Sequence, residues 1–177
     1  QKIIKDIIKN VAIPVQLGGG IRHMETIEDW ITNGVQRIIL GTIALKNPQL
    51  VKEACKNFPN KIAVGIDAKN SKVMIEGWVK KSNISMIDLA KSFQDVGVSA
   101  IIYTDIAKDG MMLGPDFTGT KKLMENVSIP IIASGGISSI SDLEEIKKSC
   151  PQLNGVICGR ALYDKKINVD EAIRVLN

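Results

Sequence analysis

Two stretches of this chain carry the same glycine pattern, and the pattern is one that binds anions. Residues 13–22 read Ile-Pro-Val-Gln-Leu-Gly-Gly-Gly-Ile-Arg and are followed at 38–45 by Ile-Ile-Leu-Gly-Thr-Ile-Ala-Leu; residues 129–138 read Ile-Pro-Ile-Ile-Ala-Ser-Gly-Gly-Ile-Ser and are followed at 156–162 by Val-Ile-Cys-Gly-Arg-Ala-Leu. Each copy reads as a buried strand ending in glycines, a helix, and a second strand ending in glycine. A glycine-rich turn between a strand and a helix brings backbone N–H groups close to an anion, and the positive end of the helix dipole favours negative charge there. One Gly-Gly turn alone is a tight connection. Its recurrence in two halves points to two anion sites, and so to a ligand with two phosphates.

Other residues could work on such a ligand. Asp67 ends the apolar run Ile-Ala-Val-Gly-Ile-Asp, and Thr104 ends Ser-Ala-Ile-Ile-Tyr-Thr. Asp67 reads either as a catalytic carboxyl at a strand end or as a helix cap or loop aspartate. Thr104 reads either as a hydrogen-bonding site residue or as a β-branched strand residue with a satisfied hydroxyl. Trp78 lies in a loop after Asp67, as a packed cover or a stacking platform. His23, the one histidine, has no partner in sequence and reads as surface; Trp30 reads as core and Lys108 as solvated.

The elements that must position these residues follow from the apolar pattern. Strands are predicted at 14–17, 37–40, 62–67, 99–104, 130–134 and 155–158, short and nearly continuous in Val, Ile, Ala and Leu, as in a parallel sheet covered on its faces. Helices fill the gaps. Asn47-Pro48 gives an N-cap followed by proline at the first helical position. Ser85 with Asp88 and Ser141 with Glu144 form capping-box patterns. Met86, Leu89, Ala90, Phe93 and Val96 recur at helical spacing, and Gly97 closes that helix.

Strict alternation of strands and helices leaves an open doubly wound sheet or a closed eight-stranded barrel. The repeat favours the (β/α)8 barrel, since glycine-tipped units separated by four strands face each other across an eight-membered ring. About six of eight βα units are present, whereas such barrels run to about 250 residues. The chain, 177 residues beginning with Gln, is therefore read as one incomplete barrel domain over 1–177, with helix 1–10 belonging to a missing preceding unit. Six strands alone expose two edges, which predicts self-association through them.

Composition narrows the class. Hydrophobic residues make up 45% of the chain and mean hydropathy is +0.09, enough for a real core. No apolar run approaches the roughly 20 residues of a membrane span. Cys55, Cys150 and Cys158 are odd in number and lack Cys-x-x-Cys spacing, which indicates neither a disulfide framework nor a structural zinc site and fits a cytoplasmic protein. A net charge of +4 with 4% aromatics offers no nucleic-acid stripe, but a modest positive field helps draw in an anionic metabolite.

The motifs also carry a family resemblance. Leu-Gly-Gly-Gly-Ile-Arg (17–22), Gly-Ile-Asp-Ala-Lys (65–69), Glu-Gly-Trp (76–78), Tyr-Thr-Asp-Ile-Ala-Lys-Asp-Gly (103–110), Gly-Pro-Asp-Phe (114–117), Ala-Ser-Gly-Gly-Ile-Ser (133–138) and Gly-Arg-Ala-Leu-Tyr (159–163) resemble the ProFAR isomerase family of histidine biosynthesis, in order and spacing. The resemblance implies a (β/α)8 barrel that needs no cofactor or metal and performs an Amadori rearrangement of an aminoaldose to an aminoketose. It implies Asp67 as general acid toward the ribose ring oxygen and Thr104 as the residue that steers the reacting group. Gly19, Gly20, Arg22, Gly41 and Thr42 resemble one phosphate site, and Ser134, Gly135, Gly136, Gly159 and Arg160 the other. The resemblance further implies that Asp109 with Gly110 contacts substrate and that Trp78 stacks on the imidazole carboxamide. The family's general base is an aspartate ending the first strand, which this chain lacks, so the chain alone is expected to be inactive or impaired. A dual-substrate isomerase acting also on phosphoribosylanthranilate, and a non-catalytic bisphosphate-binding fragment, are the competing readings.

Overall fold

A computed structural model describes residues 1–177. The parallel strands β1 (Gln16–Gly18), β2 (Arg37–Leu40), β3 (Ile62–Lys69), β6 (Ala100–Asp105), β7 (Ile131–Ser134) and β8 (Gly155–Ile157) pair in that order, with β1 and β8 at the edges. This is the curled sheet of a (β/α)8-type architecture. All six predicted strands are present, with ends shifted by one or two residues.

The sequence reading missed two strands. β3 turns back through β4 (Lys72–Ile75), which pairs antiparallel with β3 and with β5 (Lys80–Ser85). The stretch after Asp67, read as a loop, is thus a hairpin arm. Its signal was Asn70-Ser71: Lys69 pairs with Lys72, and the two residues between them have φ of +51° and +62°, the two-residue turn that favours asparagine.

The helices are α1 (Lys2–Asn10), α2 (Met24–Thr32), α3 (Thr42–Lys46), α4 (Pro48–Asn57), α5 (Met86–Lys91), α6 (Phe117–Asn126), α7 (Ile140–Ser149), α8 (Arg160–Tyr163) and α9 (Val169–Leu176). Asn47 and Ser85 cap α4 and α5 as expected, each accepting from a backbone N–H in the first turn. The capping box of α7 is formed by Ser139 and Asp142, not by Ser141 and Glu144. Ser138, Ser139 and Ser141 fall within four residues at the start of this helix, so sequence permits several registers. Asp142 decides among them, because its carboxylate also accepts from Ser138 N–H and Oγ.

Alternation along the strands divides the core. Ile38, Leu40, Ile62, Val64, Ile66, Ile101, Tyr103 and Ile131 face the helices in the main apolar cluster, which also holds Trp30, as expected. On the opposite face Ala63, Ala100, Ile102 and Ile132 form a small separate cluster with Ile39 against it. Glycines keep that face shallow: a Cβ at Gly65 would meet Ile39 Cγ2 at 3.3 Å, and one at Gly18 would meet Ile39 Cβ at 3.0 Å.

Candidate active site

The site stands on the face opposite the helices. Asp67 pairs in register with Thr104, Thr104 with Ser134, and Ser134 with Ile157, so four residues form one rung across β3, β6, β7 and β8. In-register neighbours of a parallel sheet point to the same side, and alternation puts them above Ala63, Ala100, Ile102 and Ile132. Thr104 is buried at 8% exposure, and Asp67 and Ser134 are half-buried.

Both glycine patterns lie at the carboxyl ends of the strands, one on β1 and β2, the other on β7 and β8, with Asp67 and Thr104 on the central pair between them. The repeat extends to the backbone. Gly19 and Gly20 have φ of +103° and +68°, and their counterparts Gly135 and Gly136 have +91° and +86°. Gly41 (φ −93°, ψ −106°) caps α3 as Gly159 (φ −105°, ψ −98°) caps α8.

The halves differ in what covers them. Nothing lies within 4 Å of a Cβ placed on Gly19, Gly20 or Gly41, and Arg22 is exposed: the first turn is open. The second turn bounds a pocket of about 60 Å³ lined by Asp109, Gly110, Ser134, Gly135, Gly136, Gly159 and Arg160, among others. The loop after β6 closes it. Gly114 N–H donates to Gly136 O at 2.9 Å, and Arg160 Nη1 donates to Gly110 O at 2.9 Å. Glycine is required here, because a Cβ on Gly136 would sit 2.3 Å from Gly114 O and one on Gly135 3.0 Å from Asp105 O. Lys108, expected to be solvated, instead donates to Pro115 O at 2.9 Å and tightens the loop.

Trp78 reaches Asp67 from the hairpin arm, its indole Nε1–H donating to Oδ2 at 2.7 Å. The ring is 40% exposed at the rim of the sheet. On the far side of the same turn, Glu76 N–H donates to Thr42 Oγ1 at 3.0 Å and the Glu76 carboxylate pairs with Lys46. The hydrogen bond from the Lys46 ammonium, and its charge, hold the Glu76 carboxyl below its ordinary value. Sequence reasoning gave Glu76 no role, since its partners lie 30 or more residues away. It also missed Tyr103, whose buried hydroxyl donates to Asp116 Oδ2 at 2.7 Å while Asp116 caps α6. Burial and that carboxylate push the Tyr103 pKa well up. His23 is exposed, as expected, and no helix is long and apolar enough to cross a membrane.

The arrangement offers a carboxyl and a hydroxyl side by side, flanked by two glycine-lined turns on one rim. Such a site can hold an extended anion at both ends and exchange a proton at its middle. A family model described as histidine biosynthesis protein matches residues 1–168. The chain is 56% identical over 173 residues to the 1-(5-phosphoribosyl)-5-((5-phosphoribosylamino)methylideneamino)imidazole-4-carboxamide isomerase of Paramagnetospirillum magneticum, covering 98% of this chain and 72% of the relative. Proteins of the same name from Trichlorobacter lovleyi and Geobacter sulfurreducens are 53% and 52% identical over 171 residues, covering 96% of this chain and 70% of each. Matched over nearly its whole length and sharing half or more of its residues with these relatives, the chain belongs to the histidine biosynthesis protein family.

Proposed function

We propose that the chain acts as an isomerase on the substrate its relatives are named for, converting an N-substituted aminoaldose to an aminoketose in histidine biosynthesis. The observation that carries this reading is the Asp67 rung: a carboxyl between two glycine turns on one rim, with Thr104 as its in-register neighbour. The substrate bears a phosphate at each end. One phosphate docks at Gly19, Gly20, Arg22, Gly41 and Thr42, and the other at Ser134, Gly135, Gly136, Gly159 and Arg160 with Asp109 and Gly110 beside it. Four strand spacings separate the centres of the two turn pairs, about 19 Å along the sheet.

Asp67 protonates the ribose ring oxygen as the bond from that oxygen to the anomeric carbon breaks, which opens the ring to an imine. A proton then leaves the neighbouring carbon, and the resulting enol-amine tautomerises to the ketone. Asp67 supplies the first proton; we assign the base to no residue of this chain. Thr104 hydrogen-bonds the reacting group, and Trp78 stacks on the imidazole carboxamide while its N–H contacts Asp67. The three unpaired cysteines support a reducing, cytoplasmic setting. The open edges of β1 and β8 support self-association, which sedimentation would reveal as a concentration-dependent mass.

Calorimetry of the chain with this substrate should record one molecule bound per chain, lost when Gly20 and Gly136 are both replaced by alanine. Turnover is to be measured on the chain extended to its relatives' length. No binding by the parent, or no isomerisation by the extended chain, overturns the reading.

A further inference from the structure

The turn that carries Trp78 is held in an unfavourable backbone. Glu76, Gly77 and Trp78 have φ of +58°, +65° and +72°, so three residues in succession stand in the left-handed region, two of them with side chains. Such a conformation persists only where surrounding contacts over-determine it. The following strand supplies few: β5 pairs with β4 alone, and Lys80, Lys81, Asn83 and Ile84 on it are exposed.

Two ties remain, at opposite ends of the turn. Trp78 Nε1 donates to Asp67, and two residues earlier Glu76 is bound to α3 twice, through its backbone N–H to Thr42 Oγ1 and through its carboxylate to Lys46. We propose that Glu76 is a positioning residue: acting through Thr42 and Lys46, it fastens the turn to α3 and thereby holds the Trp78 indole N–H on Asp67. The inference rests on the reading of Asp67 and Trp78 as site residues.

The charges around Glu76 agree with this role. Lys46, Lys80 and Arg22 all favour its ionised form, with Lys46 the largest contributor. An exposed ion pair adds little to global stability. Its effect here is geometric, because it acts on one end of a three-residue turn whose other end is Trp78. Removing it should therefore leave the fold intact and change the environment of one indole.

The chain has two tryptophans, and Trp30 lies in the main core, so each reports separately through its indole N–H resonance in a nitrogen–proton correlation spectrum. Asp67→Ala gives the position of the Trp78 resonance without its acceptor. Glu76→Gln and Glu76→Lys should each move that resonance about half-way or more toward this position, while the charge reversal Lys46→Glu with Glu76→Lys should restore at least about half of the displacement. Trp30 should not move in any of them. A Trp78 resonance unmoved in both single variants overturns the proposal, and so does one that moves but is not returned by the reversal. These spectra are read without ligand, so failure here is distinct from failure of the isomerase reading, which turnover decides.

Discussion

Arg160 and Gly110, fifty residues apart in sequence, meet through a 2.9 Å hydrogen bond from the guanidinium Nη1 to the carbonyl oxygen. Asp164 holds the same guanidinium from the other side at 3.2 Å. The Arg160 side chain is therefore a bridge between the helix beside the second glycine turn and the loop that closes the pocket. Arg160→Ala should free that loop, raising the rate of limited proteolysis between residues 106 and 114 and weakening ligand binding about tenfold. That loss is the scale of one charge-assisted hydrogen bond. Unchanged proteolysis and affinity would remove Arg160 from the role of a bridge.

Asp67→Asn keeps the shape and hydrogen-bonding reach of the side chain but cannot supply the proton. In the chain extended to its relatives' length, turnover should fall by at least about 100-fold while substrate affinity stays within a few-fold. Parallel loss of affinity and turnover would point to a binding carboxylate instead of an acid.

The two glycine turns should respond differently to the same substitution. Gly20→Ala meets open space and costs only the left-handed backbone, about 1 kcal/mol. Gly136→Ala adds a collision 2.3 Å from Gly114 O to a similar backbone penalty, and should cost more than about 2 kcal/mol. Urea denaturation of the two variants checks the order, and equal midpoints would show that the loop after β6 yields freely.

Tyr103→Phe removes one donor and leaves Asp116 still accepting from Gly119 N–H, so the expected loss is about 1 kcal/mol. Asp116→Ala takes away the helix cap and strands a buried hydroxyl, and should cost about twice as much or more. Thermal melts of both variants measure the difference.

Alkaline pH should destabilise the chain through its buried thiols. Burial raises the Cys55 thiol from 9.0 to about 11 and moves Cys150 and Cys158 the same way. A group with a higher pKa folded than unfolded contributes stability that is complete below the unfolded value and is lost as pH climbs through the folded one. The urea midpoint should therefore fall between about pH 9 and about pH 11, and Cys55→Ala should flatten that decline. An unaltered slope in Cys55→Ala would exclude this thiol as its source.

How far the sequence could be read depended on the range of the interactions. The apolar runs of β3 and β6, the caps at Asn47 and Ser85, and the positive φ of Gly97 depend on residues close in the chain, and each was legible. The α7 cap was misplaced by two residues, because Ser138, Ser139 and Ser141 compete locally and the Asp142 carboxylate, accepting from Ser138 and Ser139, selects Ser139. Strands β4 and β5 were overlooked because the turn that starts the arm, between β3 and β4, is Asn-Ser, without the glycine that usually announces such a connection.

By itself the sequence determined the repeated glycine turns, the alternation of strands and helices, and the residues at the strand ends, since each follows from backbone preference and side-chain period over a few positions. Only the tertiary structure decided that Asp67, Thr104 and Ser134 share one rung, that the first turn stays open while the second is roofed, and that Trp78 and Glu76 tie the arm to opposite sides of the site. Those relations are set by strand register and packing between segments far apart in the chain, where local preference has no influence.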